Sequence, residues 1–300
     1  MIKPQPLQRG DCVAIVSPAG ALHRPEILHA AAERLAAWGL RVIIAPHAAS
    51  RDGYFAGSVG ERTADFLAML RDDKIKAILC SYGGYGCVHL LPHICDEIKR
   101  NPKWIIGMSD CSALLAACVS NGVMCQHAVQ CRHLAEKGND ESSEYLRQTL
   151  FGWQPHYSIA PHPLNRQGHA EGTIVGGNLS VLSALIGTPY DIFKPGKILF
   201  IEDINEPLYK IERMLYTLKL SGVLSSLKAL IVGNFVGCKE NKQFGGTAYE
   251  IIRHMVEEYE YPLCFDFPVG HGEKCFPLTE GATINIKTDE KSVEITFHPQ

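Results

Sequence analysis

The stretch Lys103-Trp-Ile-Ile-Gly-Met-Ser109-Asp110 joins a short apolar run to a glycine, a hydroxyl and a carboxylate. Aromatic and β-branched residues at 104–106 favour a buried strand, and the apolar, alanine-rich run 111–119 favours a helix. This pattern predicts a strand that turns sharply into a helix at Ser109. Free backbone N–H groups and the helix dipole stabilise negative charge at such a position, which suits a nucleophile.

Two interpretations of this serine are open at this point. Ser and Asp are favoured N-cap residues, so Ser109 and Asp110 could simply begin the helix. The nucleophile-elbow pattern G-x-S-x-G is only half met, because Gly107 is present but Cys111 stands where the second glycine would be. Residues from the rest of the chain are needed to choose between capping and catalysis.

The composition is that of an ordinary globular protein. The chain has 300 residues, a net charge of −3, 46% hydrophobic residues and 20% charged residues. Lys and Arg are scattered, so we expect no nucleic-acid partner. No apolar run approaches the roughly 20 residues that span a bilayer, and the first residues lack the apolar core of a signal peptide. We therefore expect a cytoplasmic protein with no membrane partner.

The eleven cysteines are spread through predicted strands and helices, as buried reduced thiols would be. Cys125, His127, Cys131 and His133 carry the side chains that bind zinc. Their spacing contains neither C-x-x-C nor H-x₃₋₅-H, the usual zinc patterns. We therefore expect no metal and no other cofactor.

Strands and helices alternate through the first half of the chain. Strand patterns lie at 11–17, 41–45 and 75–80, separated by helical patterns at 25–38 and 61–71. This alternation predicts an α/β fold with a doubly wound, mostly parallel sheet, in which sites form at the carboxyl ends of the strands.

A glycine-rich loop follows the third predicted strand. Its glycines, Gly83, Gly84 and Gly86, allow the backbone to approach a ligand closely or to take a positive φ. The loop matches neither a P-loop nor the dinucleotide-binding fingerprint, and a simple tight turn would look the same. Because this loop and Ser109 both follow strands of one parallel sheet, they could meet.

The periodic pattern dissolves between residues 152 and 169, which include three prolines and three histidines. We place the domain boundary there. Residues 1–155 are predicted to form an N-terminal α/β domain, 156–170 a solvated linker, and 171–300 a second, mixed α/β domain. At the end of the chain, 283–286 and 292–297 alternate apolar and polar residues as an antiparallel pair does.

Three side chains suited to acyl transfer, Ser109, Glu202 and His271, each follow an apolar run that we read as a strand. Acyl transfer needs a hydroxyl, an imidazole to take its proton and a carboxylate to orient the imidazole. The chain order Ser, acid, His occurs in triad hydrolases. Asp203 and Glu206 are equally available acids, and His271 could be a turn residue among the thirteen histidines.

Six motifs, specific only when taken jointly, extend over nearly the whole chain: VAIVSPAG (13–20), GGYG (83–86), IIGMSD (105–110), GGNLSVLSALIGTPY (176–190), ILFIEDINEPLYKIERML (198–215) and FPVGHG (267–272). Together they resemble the LD-carboxypeptidase family of serine peptidases. That family includes muramoyl-tetrapeptide carboxypeptidases and the related microcin C self-immunity hydrolases. The resemblance implies a cytoplasmic, homodimeric enzyme that removes the terminal D-alanine from murein tetrapeptides in cell-wall recycling, with a peptide or muropeptide as its substrate.

The resemblance also assigns roles to individual residues. It implies that Ser109 is the nucleophile, Glu202 the orienting acid and His271 the base. It places the oxyanion hole at the backbone amides of Gly84 and Asp110.

The same resemblance places Gly83 and Tyr82 in the substrate-binding loop. The family usually has arginine before the double glycine, where this chain has Tyr82. An uncharged phenol cannot replace the charge of a guanidinium or its bidentate grip on a carboxylate.

Two other functions fit the sequence. One is an immunity-type hydrolase that cleaves aminoacyl-nucleotide analogues, with Tyr82 and Trp153 as an aromatic platform on which the nucleobase would stack. The other is a non-catalytic small-molecule binding protein, because two α/β domains with a cleft also describe such proteins.

Overall fold

A computed structural model describes residues 1–238 and 244–298 of the chain. The chain divides into two compact units. The first unit comprises Met1–Trp153 and Phe276–Glu280, and the second comprises Gln154–Cys275 and Gly281–Gln300. Each unit has a β-sheet of its own. None of the described helices is both long enough and apolar enough to cross a bilayer.

The sheet of the first unit has six strands, β1 (Cys12–Val16), β2 (Arg41–Ile44), β3 (Ile75–Cys80), β4 (Trp104–Gly107), β5 (Cys125–His127) and β11 (Leu278–Glu280). Their order is β11-β5-β4-β3-β1-β2. Strands β1 to β5 run parallel, and β11 is antiparallel to β5. The predicted mostly parallel sheet is thus confirmed.

The helices of the first unit are α1 (Ile27–Ala37), α2 (Val59–Arg71), α3 (Leu91–Arg100), α4 (Ser112–Ser120), α5 (Cys131–Lys137) and α6 (Glu141–Leu150). Helix α1 packs on α5, whereas α3 packs between α2 and α4. The strand order reverses direction between β1 and β3. In a doubly wound sheet, ligands bind at the carboxyl ends of the strands at such a reversal, which here is where the glycine-rich loop leaves β3.

The second unit has a seven-stranded mixed sheet made of β6 (His156–Ile159), β7 (Gly168–Asn178), β8 (Lys197–Ile204), β9 (Ala229–Val236), β10 (Leu263–Cys264), β12 (Thr283–Thr288) and β13 (Val293–Phe297). The order is β10-β9-β8-β7-β12-β13-β6. Strands β7 to β10 are parallel, and the remaining pairings are antiparallel. This confirms the mixed α/β prediction and the antiparallel pair at the end of the chain.

Helices α7 (Leu179–Ser183), α8 (Leu208–Leu220) and α9 (Ala248–Met255) complete the second unit. Side chains from α8, β8 and β9 form one buried hydrophobic cluster that includes Leu199, Ile211, Leu215, Leu230 and Val232. Strand β8 is almost entirely buried, so its two acidic residues enter the core. Buried acids of this kind need specific partners, which are described with the site below.

The predicted linker 156–170 is partly wrong. Residues His156–Ile159 form β6, which pairs with β13 at the edge of the second sheet. Tyr157 is buried and contacts Phe267 and Phe297 edge-on, with ring centroids 5.7 and 6.3 Å apart. A four-residue edge strand flanked by prolines is too short to show a clear alternating pattern, so it cannot be recognised without its partner strand.

Two histidines of this segment are also engaged rather than simply solvated. His156 bonds to Glu294 of β13 at 2.6 Å between Nε2 and Oε2. The ring of His162 packs against Tyr249 and Phe265 of the same unit, at centroid distances of 5.6 and 5.9 Å. These partners lie about 90 to 140 residues further along the chain, so local sequence patterns could not reveal them.

Residues 276–280 also differ from the prediction, which assigned all of 171–300 to the second domain. Strand β11 returns to the first unit and covers the edge of β5. There the Gln126 amide donates to Thr279 Oγ1 at 2.9 Å. A three-residue strand gives no periodic signal, and only its pairing identifies it.

We predict that Tyr157→Ala lowers the free energy of unfolding by about 3–5 kcal/mol, because it removes a buried aromatic ring from the core. Calorimetry or urea denaturation of the full chain measures the loss. The matched control is His156→Ala, which removes an exposed hydrogen bond to Glu294 and should cost less than about 1 kcal/mol. Equal, small effects of both changes would restore the linker interpretation.

Candidate active site

Ser109 lies where β4 turns into a helical segment. The strand ends at Gly107, Met108 is extended, and a 3₁₀ turn Ser109–Cys111 leads directly into α4. The N-cap residue of that turn is Met108, and no side chain caps the turn. The hydroxyl of Ser109 is therefore not used as a helix cap, which removes the alternative role suggested by the sequence.

The backbone of Ser109 is in the left-handed region, with φ of 62°. Residues other than Gly, Asn and Asp seldom adopt this conformation, which costs about 1–3 kcal/mol and occurs mainly at functional sites. A strained serine on a sharp strand-to-helix turn is the geometry of a nucleophile elbow. Gly107 makes this turn possible, since a Cβ there would lie 2.7 Å from Cys111 Cβ.

The glycine-rich loop packs directly against this serine. A Cβ on Gly83 would lie 2.8 Å from Ser109 Cβ, 2.9 Å from Ser109 Oγ and 3.2 Å from the Asp110 amide nitrogen. Only glycine can occupy this position without displacing the serine. The prediction that the glycine-rich loop and Ser109 lie together is thus confirmed.

The backbone amides of Gly84 and Asp110 flank this contact. Gly84 has φ of 87°, a conformation that favours glycine, and its N–H makes no hydrogen bond to any described residue. Asp110 is the second residue of the 3₁₀ turn, where amides lack partners within the helix. These are the properties that an oxyanion hole requires.

The buried guanidinium of Arg62, on α2, holds the loops around the serine. It donates to the carbonyls of Pro18 at 2.7 Å, Gly86 at 3.0 Å and Gly57 at 3.2 Å. Its Nη2 lies 3.2 Å from Nδ1 of His89. The loop after β1 and the glycine-rich loop after β3 are thereby joined to one rigid cation.

Two further contacts fix the position of the glycine-rich loop. The Gly20 amide donates to the Gly83 carbonyl at 2.9 Å, and the Cys87 amide donates to Asp110 Oδ2 at 2.8 Å. The second bond joins the end of the loop to the residue that follows Ser109. Asp110 therefore positions the loop with its side chain, in addition to the role predicted for its amide.

In the second unit, Glu202 and His271 form a close pair. His271 Nδ1 lies 2.6 Å from Glu202 Oε2, and the Glu202 side chain is completely buried. No described residue bonds to the other oxygen of Glu202, so its one directed contact is with the imidazole. With Nδ1 engaged, Nε2 of His271 is left for proton transfer.

Local backbone features bring this pair together. The pairing of β8 with β9 is irregular opposite Glu202, where two residues of β9 face one of β8. Such bulges redirect side chains. Gly270, with φ of 104°, packs against Glu202 so closely that a Cβ there would lie 2.5 Å from Oε2.

The interpretation of His271 as the end of a strand is wrong. Strand β10 is only Leu263–Cys264, and the chain then continues irregularly to the histidine. Pro268 cannot donate to a strand ladder, and Asp266 and Gly270 take positive φ values. The chain still follows β9, because Asn234 N donates to Val269 O at 3.0 Å.

The environment of His271 favours its charged form. Burial by itself would lower the pKa, but the hydrogen bond and charge of Glu202, with a smaller contribution from Asp203, raise the pKa of His271 above its usual value. A carboxylate that stabilises an imidazolium in this way has the chemistry that the acid of a catalytic triad requires.

The neighbouring acids have other partners. Asp203 accepts from Asn178 Nδ2 at 3.0 Å and from the amides of Ser180 and Ile204, both at 2.9 Å. Burial, reinforced by the charge of Glu202, raises the pKa of Asp203 to about 6 against the effect of these bonds. Glu206 forms an ion pair of 3.5 Å with Lys210. Of the three acids, Glu202 is the one that contacts His271.

The four residues considered as zinc ligands are divided between β5 and α5. Cys125, His127 and Cys131 are buried, and His133 bonds to Asp140 at 2.8 Å. Within the part of the chain that the structure describes, no group of three or more His, Cys, Asp or Glu side chains is arranged to hold a metal ion. Independence from metals stays a prediction.

Comparison with known proteins is consistent with this geometry. Sequence models of the LD-carboxypeptidase N-terminal and C-terminal domains match residues 13–128 and 171–286. The chain belongs to the LD-carboxypeptidase family. The probable murein peptide carboxypeptidase of Bacillus subtilis is 33% identical to this chain. The match covers 98% of this chain and 94% of the Bacillus protein.

A further relative and a solved structure are also similar to this chain. The murein tetrapeptide carboxypeptidase of Pseudomonas aeruginosa is 31% identical, over 87% of this chain and 88% of its own. The crystal structure of muramoyltetrapeptide carboxypeptidase from Oxalobacter formigenes matches with a TM-score of 0.88 at 24% identity, covering 96% and 99% of the two chains. At that identity the second match supports the fold alone.

Arg62 lies outside all of the sequence motifs that indicated the site. A signal was present, because Arg62 precedes Phe66 and Leu70 by four and eight residues and so belongs to the buried stripe of α2. An arginine on an apolar stripe needs several acceptors, yet the sequence cannot show that these are carbonyls of three separate loops.

We predict that Arg62→Met lowers the melting temperature by several degrees, since it leaves buried carbonyls without donors at a cost of at least about 2 kcal/mol. It should also slow labelling of Ser109 by a fluorophosphonate. Arg71→Met is the matched control on the same helix, where an exposed guanidinium pairs with Glu97. If Arg62→Met kept wild-type stability and wild-type labelling, the loops would not need Arg62 to keep their positions.

Proposed function

We propose that this protein is a serine LD-carboxypeptidase that releases the terminal D-alanine from murein tetrapeptides in cell-wall recycling. The observation that carries the proposal is the strained Ser109, packed against Gly83 beside the amides of Gly84 and Asp110. A strained serine beside unpaired amides is costly in a protein that only binds a ligand, and is useful in one that forms an oxyanion.

We assign the catalytic roles to Ser109, Glu202 and His271. Ser109 Oγ attacks the carbonyl carbon of the scissile bond while Nε2 of His271 takes its proton. The amides of Gly84 and Asp110 stabilise the oxyanion. His271 then gives the proton to the departing amine of D-alanine, and water hydrolyses the acyl-enzyme by the same route. Glu202 holds the imidazole through Nδ1 and stabilises its cation.

We extend the proposal to the substrate loop and the cellular context. Gly83 and Tyr82 are proposed to contact the peptide substrate. On the family resemblance, we propose that the enzyme works in the cytoplasm as a homodimer, without a cofactor, a nucleic-acid partner or a membrane partner.

The immunity-type alternative receives no support from the two aromatic residues considered for it. Tyr82 lies against the backbone of Gly20 and Gly84. A Cβ added to either glycine would lie 3.4 Å (Gly20) or 3.2 Å (Gly84) from the tyrosine ring. Trp153 stacks on Tyr145 at a centroid distance of 5.5 Å. The two rings thus have different neighbours, and both are already engaged.

The proposal is tested by incubating the purified protein with a murein tetrapeptide and, separately, with an aminoacyl-sulfamoyl adenosine, and identifying the products by mass. We expect D-alanine from the tetrapeptide. Ser109→Ala should stay folded, because its hydroxyl caps no helix, yet lose nearly all turnover. Cleavage of only the nucleotide analogue, or wild-type activity of Ser109→Ala, would refute the proposal.

A second experiment tests the acid. Glu202→Gln should lower kcat by roughly 10²–10⁴-fold, since an amide cannot stabilise the imidazolium. The acid limb of kcat/KM should also move to lower pH: the base must be neutral to act, and without Glu202 the pKa of His271 is no longer raised while burial still lowers it.

The controls are the neighbouring acids. Asp203→Asn and Glu206→Gln should retain far more activity than Glu202→Gln, because their carboxylates contact other groups. If Asp203→Asn were the most damaged of the three, the acid would be misassigned.

A further inference from the structure

A pocket on the first unit begins at the residue that precedes the glycine-rich loop. Its volume is about 350 Å³, and it is lined by Leu22, His23, Arg24, Ile27, Tyr82 and Arg132. Leu22, His23 and Arg24 belong to the segment that follows β1, Ile27 begins α1, and Arg132 lies on α5. Two guanidinium groups therefore meet an apolar and aromatic wall.

Both arginines contact one carboxylate, that of Glu136. Arg24 Nη2 bonds to Glu136 Oε1, and Arg132 Nε donates to Oε2 at 3.3 Å. Burial alone would raise the pKa of Glu136, but the two arginines lower it, so the carboxylate is ionised at neutral pH. Two cations against one anion leave a net positive charge at the pocket.

Donors remain available for a ligand. Arg132 uses Nε for Glu136, and neither of its Nη groups bonds to any described residue. About two-thirds of its side chain is exposed. Those two Nη groups, held by the Nε contact, form the planar fork that binds a carboxylate in a bidentate manner.

The pocket adjoins the proposed oxyanion loop. Tyr82 forms part of its wall, and the next residue, Gly83, touches Ser109. An extended peptide residue spans about 3.3–3.6 Å. In a substrate of a carboxypeptidase, the free carboxylate is only one residue beyond the scissile carbonyl. Because Tyr82 lines the pocket and Gly83 touches Ser109, the pocket lies beside the loop near which that carboxylate would be bound.

We propose that this pocket binds the terminal carboxylate of the peptide substrate, with Arg24 and Arg132 as its cations and Tyr82 as its wall. The inference rests on the proposed function and adds the recognition element that Tyr82 lacks. The positive charge absent at position 82 is supplied from the segment after β1 and from α5. Glu136 holds both guanidinium groups in place and limits the net charge.

The experiment compares a murein tetrapeptide with the same peptide ending in an amide. For the wild type we expect strong preference for the free acid. The double change Arg24→Gln with Arg132→Gln should raise KM for the acid at least tenfold, lower kcat much less, and remove most of the preference over the amide. Adding Tyr82→Arg to the double variant should restore part of the preference, because it returns a guanidinium to the pocket wall.

Arg34→Gln is the matched control, since Arg34 lies on α1 outside the pocket lining and donates to Asn139. It should leave KM and the preference for the acid unchanged. Labelling of Ser109 by a neutral fluorophosphonate reports whether each variant keeps a reactive nucleophile. A double variant that releases D-alanine with wild-type KM and preference overturns this inference and leaves the proposed function intact.

If the wild type releases no D-alanine, the proposed function fails, and binding then decides the pocket separately. Calorimetric titration of the tetrapeptide into Ser109→Ala, with and without the two arginine changes, measures affinity without turnover. Binding at least tenfold weaker in the arginine variant supports the pocket. Equal affinity, or no binding to either protein, overturns it.

Discussion

The contact between Gly83 and Ser109 is the constraint on which the first unit depends. A loop backbone can lie against a strained serine only if three features coincide: a glycine without a Cβ, a sharp turn that exposes the hydroxyl, and a support that holds the loop. Arg62 provides the support, because its charge is satisfied by carbonyls of the surrounding loops. Burying that cation is tolerable only while the loops stay in place, so loop position and stability are coupled.

The second unit meets a similar requirement with an acid. Glu202 is fully buried, and its directed contact is the imidazole of His271. The irregular pairing of β8 with β9 and the close approach of Gly270 make room for this pair. Asp203, the next residue, faces other donors. Each unit therefore holds its own chemical groups by buried polar contacts, whereas apolar packing of helices on the sheets supplies the frame.

Tyr82 shows that one residue of a family motif does not by itself determine the function of the site. The glycines and the serine of the family are present, yet the residue that precedes the double glycine is uncharged. In the structure its ring lies over the neighbouring glycines, and the adjacent cations come from Arg24 and Arg132. Charge in a binding site is a property of the surface formed by several segments, so one substituted position does not fix it.

The sequence by itself determined the α/β class, the order of the main strands and helices, and the antiparallel pair at the end of the chain, because periodicity and glycine punctuation are local properties. It also brought forward Ser109, Glu202 and His271 as a set, partly through residue chemistry and partly through family resemblance. Tertiary structure decided the rest. The edge strands β6 and β11 are too short to have a period and exist through pairing with residues more than 130 positions away. The choice of Glu202 over Asp203, the loop support by Arg62, and the irregular path to His271 depend on which distant groups meet in the core, and local sequence does not encode such contacts.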